Sequence, residues 1–229
     1  MCWSASASIA ATAIGGVATA YSAKKKMPKV RTFTLAFFTL MELLQAISYI
    51  WIDQCDMSGN ILLTHISYIH IALQIPVANL FMLSFVSEKN RKKWLKIVMA
   101  ISAIASFLML LRWFGPLIWV LPRELLCNMN DALCGVEACT YRGNWHLAWR
   151  LPLMGFDPHA LLYFVPVFIL PLLYGAWRLS LYHFLFGPFL AFLSTTDRNE
   201  APAIWCLFSI AILGAIFFRP LRKWLETPM

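Results

Sequence analysis

The sequence predicts an all-α fold: a polytopic membrane protein built as a seven-transmembrane-helix bundle, with the N-terminus outside and the C-terminus cytoplasmic. Three observations carry this reading. Hydrophobic residues make up 60% of the 229 residues and charged residues only 13%, about half the charged share of an ordinary soluble domain. The apolar residues fall in runs of roughly 20, the length that crosses about 30 Å of hydrocarbon. Basic residues collect in alternate connections, as they do in cytoplasmic loops. The composition also excludes disordered, collagen-like and small disulfide-scaffold classes. The net charge is +8, yet runs this apolar argue against a soluble nucleic-acid binder, so the lipid bilayer is the expected partner and no nucleic acid is.

The first expected span, Ser4 to Ala23, consists of small residues. Its charges follow the apolar stretch, the flank pattern of an uncleaved helix and not of a secretory signal. The second span runs from Thr32 to Ile52, the third from Ile61 to Ser87 and the fourth from Leu95 to Phe114. The fifth is Ala160 to Leu179, and the sixth is Leu181 to Ser194, where Gly187-Pro188 predicts a kink or partial insertion. Pro202 to Phe218 is the seventh. The chain is one transmembrane domain, and residues 115–159 form its long outer loop, a cap carrying cysteines.

Charge sets the orientation. Fourteen of the 19 basic residues lie in the connections after spans one, three, five and seven, accompanied by Glu88 and Glu226. That side sums to +12 and the opposite side to −3, with Glu42 inside the membrane. Basic loops remain in the cytoplasm. The setting is an integral membrane location, the bacterial inner membrane or its eukaryotic equivalent. Trp51, Trp113 and Trp149 near one boundary, and Trp94, Trp177 and Trp224 near the other, read as interfacial anchors.

Under this topology Cys2, Cys55, Cys127, Cys134 and Cys139 share the outer side, and Cys206 lies one turn into span seven. The outer compartment is oxidising, so one to three disulfides are expected to brace the cap, with the pairing open. Cys134, Cys139 and His146 also raise a metal reading, zinc or copper, although their spacing matches no closed zinc motif.

Glu42 falls halfway along span two. A carboxylate at mid-membrane costs roughly 2.5–3.5 kcal/mol on an insertion scale, so it is expected to face the bundle and to have a partner. Gln45 and Tyr49 continue its stripe, and Ser67, His70 and Gln74 form one on span three. The short connection from Asp53 to Asn60 makes the two helices neighbours. Glu42, Gln45, His70 and Gln74, flanked by Tyr49 and Ser67, are therefore expected to line an outward-facing pocket for a small ligand. Alternatively, His70 and Glu42 would hold a transition metal. Pro76 is expected to free the carbonyl of Ala72.

Five stretches carry a resemblance: Met1-Cys2-Trp3-Ser4, Met41 to Gln45, His70 to Pro76, Gly143 to Trp149, and Asn199 to Cys206. With them the chain resembles a group of uncharacterised polytopic membrane proteins that begin Met-Cys-aromatic-Ser. The resemblance implies architecture and no chemistry. Seven-helix zinc amidases of the alkaline ceramidase and adiponectin-receptor type share span count and orientation. Their late His-x-x-x-His pair is missing from this chain, in which His183 stands alone.

Three function classes follow. One is a ligand- or metal-binding membrane protein, with membrane-embedded catalysis left open. Another is a transporter or channel for a small solute or protons. The third is an accessory subunit packed on a membrane protein partner or on further copies of itself. P-loop, G-x-G-x-x-G, G-x-S-x-G and H-E-x-x-H motifs are absent.

Overall fold

The computed structural model describes residues 5–113, 127–157, 160–208 and 211–226. Cys2, in the N-terminal stretch, lies outside these residues, as does much of the cap from 114 to 126. The described chain is mostly helical. Helices α1 (Ala5–Lys24) and α2 (Lys29–Ser48) form a hairpin. Its close fit comes from the small residues of α1: Ser8, Ala11, Gly15 and Ser22 are the buried ones. A Cβ on Gly15 would sit 2.3 Å from the Thr39 hydroxyl. Small residues let two backbones approach where lipid offers no hydrophobic drive to pack.

Helix α3 (Ser58–Leu83) is buried along most of its length and forms the axis of the bundle. Helix α4 (Glu88–Trp113) packs beside it with a largely exposed face of Ile97, Ile101, Ile104 and Phe107. The carbonyl of Ala72, which Pro76 deprives of its helical donor, accepts the Ser106 hydroxyl of α4 at 2.6 Å. The proline thus becomes a tie between α3 and α4.

Helix α5 (Leu161–Leu173) contains a π-turn at Val165–Ile169. Asn79 of α3 donates to the Pro166 carbonyl at 2.9 Å and accepts from the Tyr174 hydroxyl at 2.9 Å, so one amide joins α3 to both ends of the α5 region. Helix α6 covers 177–194 as Trp177–Phe184, a π-segment Leu185–Phe189 and Leu190–Ser194. The expected kink is present: Gly187 has the non-helical angles φ −114° and ψ −105°. A side chain there would collide with Trp205, whose indole nitrogen lies 2.3 Å from the Cβ position. Helices α7 (Ala201–Phe208), α8 (Ala211–Phe217) and α9 (Arg219–Leu225) close the chain. Phe218 is extended before α9, where Pro220 occupies the first turn.

Among the described residues three helices, α2, α3 and α4, are long and apolar enough to cross a membrane, and a fourth span results if the bent pair ending in α9 counts as one. The 13 residues of α5 rise only about 20 Å as a continuous helix, and α6 is broken at Gly187.

The cap departs from an all-helical expectation. Strands β1 (Cys139–Arg142) and β2 (Leu147–Arg150) form an antiparallel hairpin in which Thr140 pairs with Trp149 and Arg142 with Leu147. Strands of four residues do not stand alone. This pair is held by burial of Cys139, Thr140, Leu147, Ala148 and Trp149 and by Asn60 at the start of α3. The Asn60 amide donates to the Thr140 carbonyl at 2.7 Å and accepts from the Thr140 N–H at 2.9 Å, replacing a neighbouring strand. Thr64 and Thr140 hydroxyls meet at 2.7 Å one turn on. Two disulfides complete the cap. Cys55–Cys139 ties the α2–α3 connection to β1, and Cys127–Cys134 closes a short loop. Cys206 enters neither bridge.

Candidate functional site

Of the six polar residues expected to line one pocket, Gln45, Tyr49, His70 and Gln74 fall into three places, and Glu42 and Ser67 join none of them. Gln45 and Tyr49 meet a ring from the cap. The His146 Nε2–H donates to Gln45 Oε1 at 2.5 Å, and the Tyr49 hydroxyl donates to His146 Nδ1 at 2.7 Å. An amide oxygen can only accept, so the Gln45 contact assigns a proton to Nε2, and burial of the ring favours its neutral form, with Nδ1 accepting from Tyr49. Gln45 Nε2 passes the chain on to the Ala203 carbonyl of α7 at 3.4 Å. His146 is 2% exposed, and burial pushes its imidazole down to about 4.

The ring is positioned by Glu200, the fully buried residue just before α7. Glu200 Oε1 accepts the backbone N–H groups of Trp145 and His146, and Oε2 accepts the Thr195 hydroxyl. Gly143 permits this approach, since a Cβ there would lie 2.6 Å from the Glu200 carboxyl carbon. Trp149 N–H donates to the Asn199 carbonyl at 3.1 Å, so the hairpin is anchored to the α6–α7 connection along two of its edges.

His70 takes another direction. Its Nε2–H donates to the Phe37 carbonyl at 2.9 Å and its ring stacks on Phe37 with centroids 4.0 Å apart. Phe37 and Glu42 are five residues apart on α2, about 140° around the helix, so a ring seated on Phe37 is off the Glu42 face. No hydrogen bond or ion pair joins Glu42 to His70, and neither Glu42 oxygen has a hydrogen-bond partner. The expected sheltering of Glu42 by His70 is therefore corrected. Ser67 is buried with its hydroxyl also unpartnered. The metal reading loses its basis as well: among the described residues no group of three or more His, Cys, Asp and Glu could hold an ion. Cys55, Cys127, Cys134 and Cys139 are spent in disulfides.

Gln74 lies in the third place, a cavity of about 690 Å³, counting its mouth and the open space before it, on the cap side of the bundle. Its wall is mainly aromatic and aliphatic, with Tyr68, Met109, Tyr163, Phe164 and Trp205 prominent. Gln74 Oε1 accepts the Tyr163 hydroxyl at 2.8 Å, and Gln74 Nε2 lies 3.8 Å from the Cys206 sulfur. At another part of the wall Arg112 pairs with Asp157 at 3.2 Å, both side chains at most 5% exposed. Arg112 Nε donates to the Met154 carbonyl and the Leu162 N–H to Asp157. Burial pushes the Asp157 carboxyl up, while the Leu162 N–H and the Arg112 guanidinium pull it back. Arg198 also lines the cavity.

Sequence reasoning offered His146 only as a metal ligand beside Cys134 and Cys139, and it missed Asp157 and Glu200 as site residues. Arg112 and Asp157 carried a readable signal, opposite charges in the same half of the sequence's charge division. The pairing of His146 with Gln45 carried none, because 101 residues separate them.

No curated protein and no solved structure matches this chain. A family model matches residues 6–226, from α1 through the cap to α9. With nearly its whole length covered, the chain belongs to the Family of unknown function (DUF5765).

Proposed function

We propose that this chain is an integral membrane protein of seven spans, N-terminus outside and C-terminus cytoplasmic, that binds a small, mostly apolar ligand in its outer-half cavity. The observation that carries the reading is the make-up of the cavity around Gln74: a concave, mainly apolar and aromatic wall with a few convergent polar groups. The Gln74 amide, the Arg112–Asp157 pair and Arg198 would orient a ligand's polar end, and the aromatic wall would take its body. The seven-span arrangement is supported by three apolar helices of sufficient length and by the +12 against −3 charge division. In it α1, α5, α6 and the α7–α8 pair supply the remaining crossings, with π-turns and Gly187 where α5 and α6 bend. A transport reading draws on one further observation. Trp205 lines both this cavity and a second around His183, so it stands as a partition between them.

Native mass spectrometry of the purified protein tests the binding. Wild type is expected to carry a discrete adduct that Ala132→Trp, which fills the cavity from the cap, and Gln74→Leu both lose. Adduct patterns indistinguishable among the three proteins would refute the reading.

A further inference from the structure

Glu42 is the least explained group in the molecule. It is 2% exposed, takes part in no ion pair, and both its oxygens lack hydrogen-bond partners. It borders a small, half-open recess between α1, α2 and α8. Ala11 and Gly15 come from α1, Phe38 and Thr39 from α2, and Ile212 and Leu213 from α8. None of these is charged or titratable. The Thr39 hydroxyl has given its proton to the Leu35 carbonyl at 2.7 Å. The buried Cys206 thiol of α7 feels the Glu42 carboxyl and supplies no positive charge.

An ionised carboxylate in such a place finds no donor among the described residues to replace its hydration, a cost that rises steeply in a low-dielectric interior. A metal cation would need a shell of oxygen donors, and besides the carboxyl the recess offers the Thr39 hydroxyl alone. The neutral acid meets neither difficulty.

We propose that Glu42 is a proton-binding site, a buried carboxylic acid that takes one proton from water and returns it to water. The recess shares Phe38 and Ile212 with the cavity around His183, and that cavity shares Trp205 with the outer one. The three spaces thus lie side by side from the outer half of the bundle to the acid, divided by Trp205 and by Phe38 and Ile212. This inference does not rest on ligand binding in the outer cavity.

The test is reaction of the full-length protein with the membrane-permeant reagent dicyclohexylcarbodiimide, read by peptide mass spectrometry. A protonated carboxyl adds across the carbodiimide: the acid proton goes to one nitrogen, the carboxyl oxygen bonds to carbon, and the O-acylisourea rearranges to a stable N-acylurea. Nothing leaves, so the whole reagent mass stays on the residue. Labelling of Glu42 is expected at about pH 7, where exposed carboxyls are ionised, and it is expected to fall as pH rises further. Glu42→Asp should keep the adduct on the α2 peptide and Glu42→Gln should lose it. Absence of a Glu42 adduct at every pH in the folded wild type would overturn the proposal. So would labelling confined to the acid range of an exposed carboxyl, or protection by sodium at fixed pH, which would mark a cation site instead.

Discussion

Acidification should loosen the cap from the bundle through His146, and the size of the effect follows from its surroundings. In the unfolded chain the imidazole titrates near 6.5, and in the folded protein burial lowers this to about 4. Between those values the unfolded state binds more protons, so stability rises with pH through the window and is complete above about 6.5. Moving the other way, from neutral pH towards 4, removes it. At about 1.4 kcal/mol for each tenfold in proton affinity, the loss approaches about 3 kcal/mol. For a chain of this length that is a fall in Tm of roughly 6–12 °C. The assay is thermal unfolding of detergent-solubilised protein at pH 7.5 and 4.5, followed by tryptophan fluorescence, for wild type and His146→Gln. The glutamine retains a donor and an acceptor towards Gln45 and Tyr49 and does not titrate. Asp157, whose carboxyl burial pushes up, acts with the opposite sign and is common to both proteins, so the difference between them isolates His146. Equal pH dependence in the two would refute the argument.

Glu200→Ala should strip the acceptor from the Trp145 and His146 N–H groups and from the Thr195 hydroxyl. With roughly 1–3 kcal/mol for each buried group left unpaired, and the His146 N–H and Thr195 hydroxyl as the two buried ones, it should destabilise by roughly 2–6 kcal/mol in a denaturant or thermal titration. Gly187→Ala puts a methyl 2.3 Å from the Trp205 indole nitrogen, which now donates to His183 at 3.2 Å. A cost of roughly 1–3 kcal/mol and a changed Trp205 emission are expected, measured against a Trp205→Phe background. Cys55→Ser should cost more than Cys127→Ser. The first bridge spans 84 positions and the second 7, so chain entropy assigns them about 4.5 and about 2.5 kcal/mol. Melting with and without reductant gives the order.

The legible part of the fold was local. Apolar runs located α1 to α4 within a few residues, and Gly187-Pro188 marked the break in α6. Pro76 announced a spare carbonyl, and Ser106 was found on it. The outer cysteines were correctly expected to brace the cap, and Cys55 was among the partners named. The hairpin was not expected. Its strands are four residues long, and they exist because Asn60 and Thr64 present an edge for Thr140, an arrangement with no signature in β1 or β2 themselves.

The candidate site shows the same division more sharply. Periodicity placed Gln45 and Tyr49 on one stripe of α2, and they do share one partner. It chose the wrong imidazole, because helical spacing states where a side chain points relative to its own axis and says nothing of how that axis is rotated against its neighbours. The sequence alone determined the helical class, the apolar lengths, the charge asymmetry and the presence of a carboxyl inside the bundle, all properties of single segments and their solvent. Tertiary structure decided that His146 and not His70 completes the Gln45–Tyr49 chain, that Arg112 finds Asp157, and that Glu42 faces an apolar recess. These are distances between segments far apart in the chain, set by the packing of the whole bundle and by no single segment within it.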